Sequence, residues 1–179
     1  MIINVRGALQ YTSVDDFCRK LAEKRGEVYK PIFSNSDRHD ACVKRLVGLF
    51  AEKVGGQLLV ACQQTVKFSE RYQAHPDLTF LIPRAEFVTA GELKPQGILL
   101  VVEVADTTVE AERYTKIPLY GTIGIPEVWL VNMKNKCVEV YWQPSEKRGY
   151  RKGRRYVRGE RIYLGAYPDL NIRVDEALG

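Results

Sequence analysis

The sequence predicts an α/β (α+β) protein, a mixed β-sheet flanked by helices with an antiparallel extension toward the C-terminus. Three observations carry that reading. Ile98 to Val104 reads ILLVVEV, apolar on both alternating faces, as expected of a strand enclosed within a sheet. From residue 36 the periodicity runs helix, strand, strand, strand, helix, strand. Beyond Gly124, short strand-like runs separated by turn residues replace helical spacing.

Taken in order, Ser13 caps a short helix whose apolar positions Val14, Phe17, Cys18, Leu21 and Ala22 recur at helical spacing, and Gly26 ends it. Glu27 to Phe33 reads as a strand, and Pro31 within it marks an edge. SNSDRHD supplies the next cap, Ser36. Cys42, Val43, Leu46, Val47, Phe50 and Val54 then form the apolar stripe of a longer helix that Gly55-Gly56 stops. Gln57 to Gln63, Thr65 to Phe68 and Asp77 to Ile82 read as strands. Residues 83–97 hold Pro83, Gly91, Pro95 and Gly97 and form the longest irregular stretch, either a substrate-facing flap or a plain solvent loop.

After the central strand, Thr107-x-x-Glu110 has the pattern of a capping box. Pro118 cannot donate an interior hydrogen bond, so it kinks or divides the helix that follows, and Gly124 ends it. Glu127 to Val131, Cys137 to Trp142 and Tyr150 to Val157 complete the strands, with MKNK as a turn.

At 179 residues and 45% hydrophobic, the chain suits one compact domain over residues 1–179 with a substantial core. No apolar run approaches transmembrane length, and MIINVRGALQ lacks the features of a signal peptide, so the expected location is the cytoplasm, without a membrane partner. Cys18, Cys42, Cys62 and Cys137 include no CxxC pair. The first three fall on apolar faces, which argues against a zinc site or a disulfide framework.

The net charge of +5 is uneven. Lys147, Arg148, Arg151, Lys152, Arg154, Arg155, Arg158 and Arg161 crowd one stretch, interleaved with Tyr150 and Tyr156. Such a run is either a phosphate-contacting ribbon or a solvated edge hairpin whose charges discourage aggregation.

The chemistry starts at Glu103, the one charged residue of ILLVVEV. A buried carboxylate is costly, so it must be paired, protonated or bound to a metal. Pro76 fits only the start or the edge of a strand, which sets Asp77 at a strand opening beside an irregular rim. Alone, Asp77 would serve equally well as an ordinary strand-opening residue. Two carboxylates converging from adjacent strands can hold a hard divalent cation, because Mg²⁺ prefers one or two carboxylates plus water and phosphate oxygens. The following helix offers Lys116 as a cation for a phosphate. His39 and His75 have no metal-ligand spacing and read as a helix-start residue and a loop residue.

Several separated blocks resemble the bacterial "putative restriction endonuclease" family of the PD-(D/E)XK nuclease superfamily: RGEVYKPIFSNSDRHDACVKRLVGLF, QAHPDLTFLIPR, ILLVVEVADTT, KIPLYGTIGIPEVWLV and VEVYWQP. Their order and spacing cover the chain roughly from Arg25 to Asp175. The resemblance implies a restriction endonuclease-like fold and a Mg²⁺-dependent endonuclease, with Mn²⁺ as a substitute, acting on nucleic acid and on DNA foremost. It implies Asp77 and Glu103 as metal ligands, Lys116 as the catalytic lysine, Tyr120 one turn further along the helix, and Glu27 as an accessory acid. A homodimer follows by analogy with enzymes that cut both strands.

Two departures stand out. The superfamily's usual lysine would occupy the position of Ala105, so its role passes to Lys116, and an aspartate of several relatives is replaced by Glu112. The empty position at Ala105 motivates an alternative, a catalytically inactive nucleic-acid- or partner-binding protein of the same fold. A hydrolase of nucleotides or other phosphoesters is a third reading.

Overall fold

A computed structural model of the protein describes residues 2–3, 36–54, 57–68, 73–83, 88–89 and 92–179. The helix expected after Ser13, with Cys18, and the strand expected from Glu27, with Glu27 itself, lie outside the described residues. In chain order the strands are β1 (Ile2–Ile3), β2 (Leu59–Cys62), β3 (Val66–Lys67), β4 (Gln73–Ala74), β5 (Leu78–Leu81), β6 (Val88–Thr89) and β7 (Glu92–Leu93). They continue with β8 (Ile98–Ala105), β9 (Glu127–Asn132), β10 (Cys137–Ser145), β11 (Gly149–Val157), β12 (Arg161–Leu164) and β13 (Tyr167–Arg173). Helix α1 is Asp37–Val54 and helix α3 is Val174–Leu178. Helix α2 comprises three consecutive segments, Val109–Ala111, Glu112–Lys116 and Ile117–Thr122.

Seven strands form one mixed sheet in the order β1-β2-β5-β8-β9-β10-β11. Only the β8–β9 pair is parallel, and α2 is its crossover. The sheet is covered on both faces. On one, α1 packs Cys42, Leu46 and Phe50 over Leu78, Phe80, Leu100 and Val102, with the Phe50 ring 4.5 Å from Phe80 and 5.8 Å from Trp129. On the other, Val101, Ala105, Val128 and Leu130 meet Ile117 and Tyr120 of α2. Strand β8 therefore has apolar neighbours above and below, which is why its sequence does not alternate.

Helix α1 begins where its cap predicts. The Ser36 Oγ accepts the His39 N–H at 3.2 Å, Asp37 and Asp40 sit in the first turn, and all six apolar positions of the stripe are buried. The capping box expected at Thr107 does not form. Thr108 takes the N-cap position with φ −96° and ψ 15° and makes no side-chain cap bond. The division of α2 at Pro118 does occur. The segment before it is a π-turn closed by the Ile117 N–H donating to the Glu112 carbonyl, so the helix gains a residue just where proline withholds a donor. Gly124 (φ +86°) ends α2 in a Schellman arrangement, its N–H donating to Gly121 O at 3.2 Å and that of Ile125 to Tyr120 O at 3.0 Å.

Residues 83–97 are not simply irregular. They contain β6, β7 and a 3₁₀ turn, and β7 joins a small sheet in the order β4-β3-β7-β6 through Val66↔Leu93. Two-residue strands are too short to show a period. The C-terminal β12–β13 hairpin and α3, which the sequence pattern does not foretell, bury Ile162, Leu164, Ile172, Val174 and Ala177 in the α1-side core.

The base of β11 touches α2 with no room to spare. A Cβ on Gly121 would collide with the carbonyl of Gly149, and one on Gly149 (φ +75°) would lie 2.8 Å from Pro118 Cα. Gly48, within α1, has nothing within 4 Å of the corresponding position. Urea unfolding should show Gly121→Ala destabilised by about 3 kcal/mol from overpacking, and Gly48→Ala stabilised by up to about 1 kcal/mol from helix propensity. Equal effects at the two positions would refute the close approach.

Candidate active site

The sheet register brings the two predicted carboxylates together. Thr79 pairs with Val101 and Leu78 with Val102 in antiparallel register, and one step further sets Asp77 opposite Glu103. Residues directly opposite on neighbouring strands are close enough for their side chains to interact. Asp77 is tied down at the strand mouth: its Oδ2 accepts the Val104 N–H at 2.8 Å and lies 3.1 Å from His39 Nε2. Both of these bonds fall on Oδ2, and Oδ1 takes neither.

His39 is a member of the site that sequence reasoning missed. It is 7% exposed, and its other ring nitrogen, Nδ1, lies 3.2 Å from Asp40 Oδ1. Burial resists its charge, but the carboxylates of Asp77 and Asp40 outweigh that and hold its pKa up to about 9. The imidazolium then donates from both nitrogens, one to each aspartate. The available signal was its position in the first turn of α1, where the helix dipole disfavours a cation unless a carboxylate repays it. His75 stays peripheral, its Nδ1 at 3.2 Å from Thr65 Oγ1.

Glu103 is 1% exposed. Its Oε1 accepts the Tyr120 hydroxyl at 2.5 Å and its Oε2 accepts Lys116 Nζ at 3.2 Å. Lys116 Nζ also lies 3.0 Å from Glu112 Oε2. Glu112, Lys116 and Tyr120 succeed one another every four residues, so one face of α2 delivers all three. Tyr120, which the resemblance placed one turn beyond the lysine, bonds Glu103 directly.

Burial, reinforced by the charge of Asp77, pushes the Glu103 carboxyl up to about 8 even though Lys116 opposes the shift. Burial would lower the Lys116 ammonium, but Glu103 and Glu112 outweigh it and raise its pKa. Burial and the neighbouring Glu103 raise the Tyr120 phenol well above its ordinary value.

An open groove of about 430 Å³ lies over this cluster, lined among others by His39, Asp77, Thr108, Glu112, Thr115 and Lys116. Among the described residues no group of three or more His, Cys, Asp or Glu is arranged to cage a metal ion. The donor set is instead a facing carboxylate pair, the kind that suits Mg²⁺ completed by water and phosphate oxygens. A divalent cation held there would relieve what burial and Asp77 impose on Glu103. Asp77, Glu103, Lys116 and Tyr120 thus meet at one place, while Glu27 lies outside the described residues.

The "Putative restriction endonuclease" (Uma2) family model matches residues 19–175. The chain belongs to this family. Its fold is similar to that of a crystal structure described as a putative nuclease belonging to DUF820 from Anabaena variabilis ATCC 29413. That similarity has a TM-score of 0.61 at 15% identity and covers 84% of each chain. Among curated proteins none matches this chain. No helix among the described residues is long and apolar enough to cross a membrane.

The pKa directions fix how this family member responds to pH. A histidine raised to about 9 contributes stability that is complete below its unfolded value near 6.5 and is lost as pH rises through about 9. A carboxyl raised to about 8 costs stability as pH climbs from its unfolded value toward about 8. Both slopes have the same sign, so urea midpoints should fall between about pH 6 and pH 9. Glu103→Gln should flatten the acidic half of that decline and His39→Gln the alkaline half. A His39→Gln profile parallel to the wild type would refute the ion pair.

Proposed function

We propose that the protein is a metal-dependent nuclease that hydrolyses phosphodiester bonds of nucleic acid, with DNA as the foremost substrate and Mg²⁺ as the cofactor. The observation that carries this is the facing pair Asp77 and Glu103 beside an open groove that Asp77 and Lys116 line, with Lys116 also reaching the Glu103 carboxylate. In this reading Asp77 and Glu103 hold the cation. When bound, Mg²⁺, or Mn²⁺ in its place, lowers the pKa of a bound water and offsets charge on the phosphate.

The protein's own residues set the stage for that chemistry. The Val104 N–H and His39 aim Asp77 through its Oδ2. The Tyr120 hydroxyl fixes the Glu103 carboxylate in one orientation. Lys116, whose raised pKa keeps it cationic, lines the groove and meets the negative charge that grows on the phosphate oxygens. Glu27 is an accessory acid on resemblance alone. The reading places the protein in the cytoplasm beside its nucleic-acid substrate, and cutting both strands of a duplex takes two such sites, which a homodimer supplies.

Nicking of supercoiled plasmid in Mg²⁺ tests the assignment. Asp77→Asn and Glu103→Gln should each lose about a hundredfold or more in rate, and Lys116→Met about as much. Thermal melting separates the roles: Mn²⁺ should raise the melting temperature of wild type and of Lys116→Met but not of Glu103→Gln. Equal nicking by wild type and all three variants would overturn the catalytic reading. Retained DNA binding without any nicking or metal-induced shift would favour the inactive binding protein of the same fold.

A further inference from the structure

The basic stretch between Lys147 and Arg161 is not dispersed in the fold. It forms β11, the terminal strand of the seven-stranded sheet, and the turns on either side. Some of its cations are already neutralised: Arg154 pairs with Glu160 at 2.7 Å and stacks on Tyr156, and Arg158 pairs with Asp175 at 3.5 Å. Lys147, Arg148, Arg151, Lys152 and Arg155 are exposed and, among the described residues, none of them pairs with a carboxylate. Three of these uncompensated cations, Arg151, Lys152 and Arg155, stand on the strand and two, Lys147 and Arg148, on the turn before it, and together they make a line of positive potential along this edge of the sheet.

This line is rigidly attached to the helix that carries Lys116. Arg113, three residues before Lys116, grips Glu139 of β10 with two hydrogen bonds, at 2.9 and 2.5 Å, and Glu139 also accepts from Tyr141 and Asn132. Arg155 sits opposite Glu139 in the β10–β11 register and lines a groove of about 390 Å³ together with Arg113, Asn135 and Gly153. Gly149 at the base of β11 is in close contact with Gly121 and Pro118 of α2. The strand and the candidate site are two ends of one packed unit.

We infer that the exposed cations of β11 and of the turn before it form a contact track for the phosphate backbone of a nucleic-acid duplex whose scissile bond lies at the Asp77–Glu103 site. The inference rests on the proposed nuclease reading. It adds where the substrate is gripped away from the reacting phosphate. A nine-residue strand spans ~30 Å, close to one helical turn of duplex. An acidic polymer complements the line of charge, whereas a second copy docking edge to edge would set arginine against arginine.

The test uses a fluorescein-labelled 30-base-pair duplex in EDTA, read by anisotropy across a NaCl series. The triple variant Arg151→Gln, Lys152→Gln, Arg155→Gln removes exposed side chains and keeps Lys116. It should bind at least tenfold more weakly at low salt, with the slope of log Kd against log salt reduced by about two to three, close to 0.9 for each phosphate that no longer meets a cation. A control triple with the same change in charge, Lys53→Gln, Lys94→Gln, Lys134→Gln, should stay within about twofold of wild type.

Unchanged affinity and slope in the β11 triple, or equal weakening in both triples, overturns the track. So does loss of binding to phosphatidylserine vesicles with duplex binding intact, which would mark a lipid surface. Cleavage kinetics separate this inference from the nuclease reading. A raised KM with kcat preserved supports both, and cleavage with unaltered KM sinks the track alone. β11-dependent binding without cleavage by the wild type sinks the nuclease reading alone.

Discussion

A carboxylate 1% exposed at the centre of a seven-stranded sheet sets the terms for everything around it. Glu103 sits where water cannot solvate it, so its hydrogen bonds must come from the layer above, and that layer is α2. To serve it, the helix must place Tyr120 and Lys116 over one residue of β8 while running close to β10 and β11. The sequence meets both demands locally. A π-turn followed by Pro118 adjusts the angular position of the helix face, and glycines at 121 and 149 let backbone approach backbone. Tyr120 extends the coupling further, because its ring meets Phe68 beside the small sheet, with centroids 6.1 Å apart.

The position of Ala105 explains why the lysine that bonds Glu103 can come from a helix. Two residues beyond Glu103 on the same strand face, Ala105 is fully buried in the apolar layer that includes Val109 and Ile117. A long cation there would have to thread through the contact between β8 and α2. A methyl group allows the helix to close down, and the closed helix can reach Glu103 with its own side chain. A small residue at 105 and a tight α2–sheet contact are therefore one structural choice.

What the sequence disclosed divides along the range of the interactions involved. Strand β8, helix α1 with its Ser36 cap, the break at Pro118 and the stop at Gly124 are written in neighbouring residues, through apolar spacing, a capping hydroxyl, a missing donor and a positive φ. Asp77 and Glu103 were legible as types, a carboxylate at a strand opening and one inside a buried run, but their facing register belongs to the sheet. His39 was hidden for the same reason: its partner Asp77 lies 38 residues away, and a lone histidine carries no spacing signal. The strands of the small sheet escaped because a pair of residues has no period. Thr107 was misleading because a capping pattern needs the chain to enter the helix at that residue, and the turn after β8 enters one residue later.

Helix α2 presents two cations, Arg113 and Lys116, to two sheet carboxylates, Glu139 and Glu103, and the carboxylates respond in opposite directions. Glu139 is only partly buried; burial would raise it, but Arg113 with Tyr141 and Asn132 more than compensates and brings it down to about 2. Every lone pair it can use is engaged, so the pair is a clamp between α2 and β10 with nothing to gain from a further ligand. Glu103 has a lysine and a phenol of its own, yet full burial and the facing Asp77 still drive it up to about 8. The same helix, the same kind of partner and similar distances thus yield one satisfied carboxylate and one that remains short of positive charge. That shortfall, rather than the presence of an acid in a cleft, is what distinguishes the buried carboxylate beside the groove from the one that holds helix to sheet.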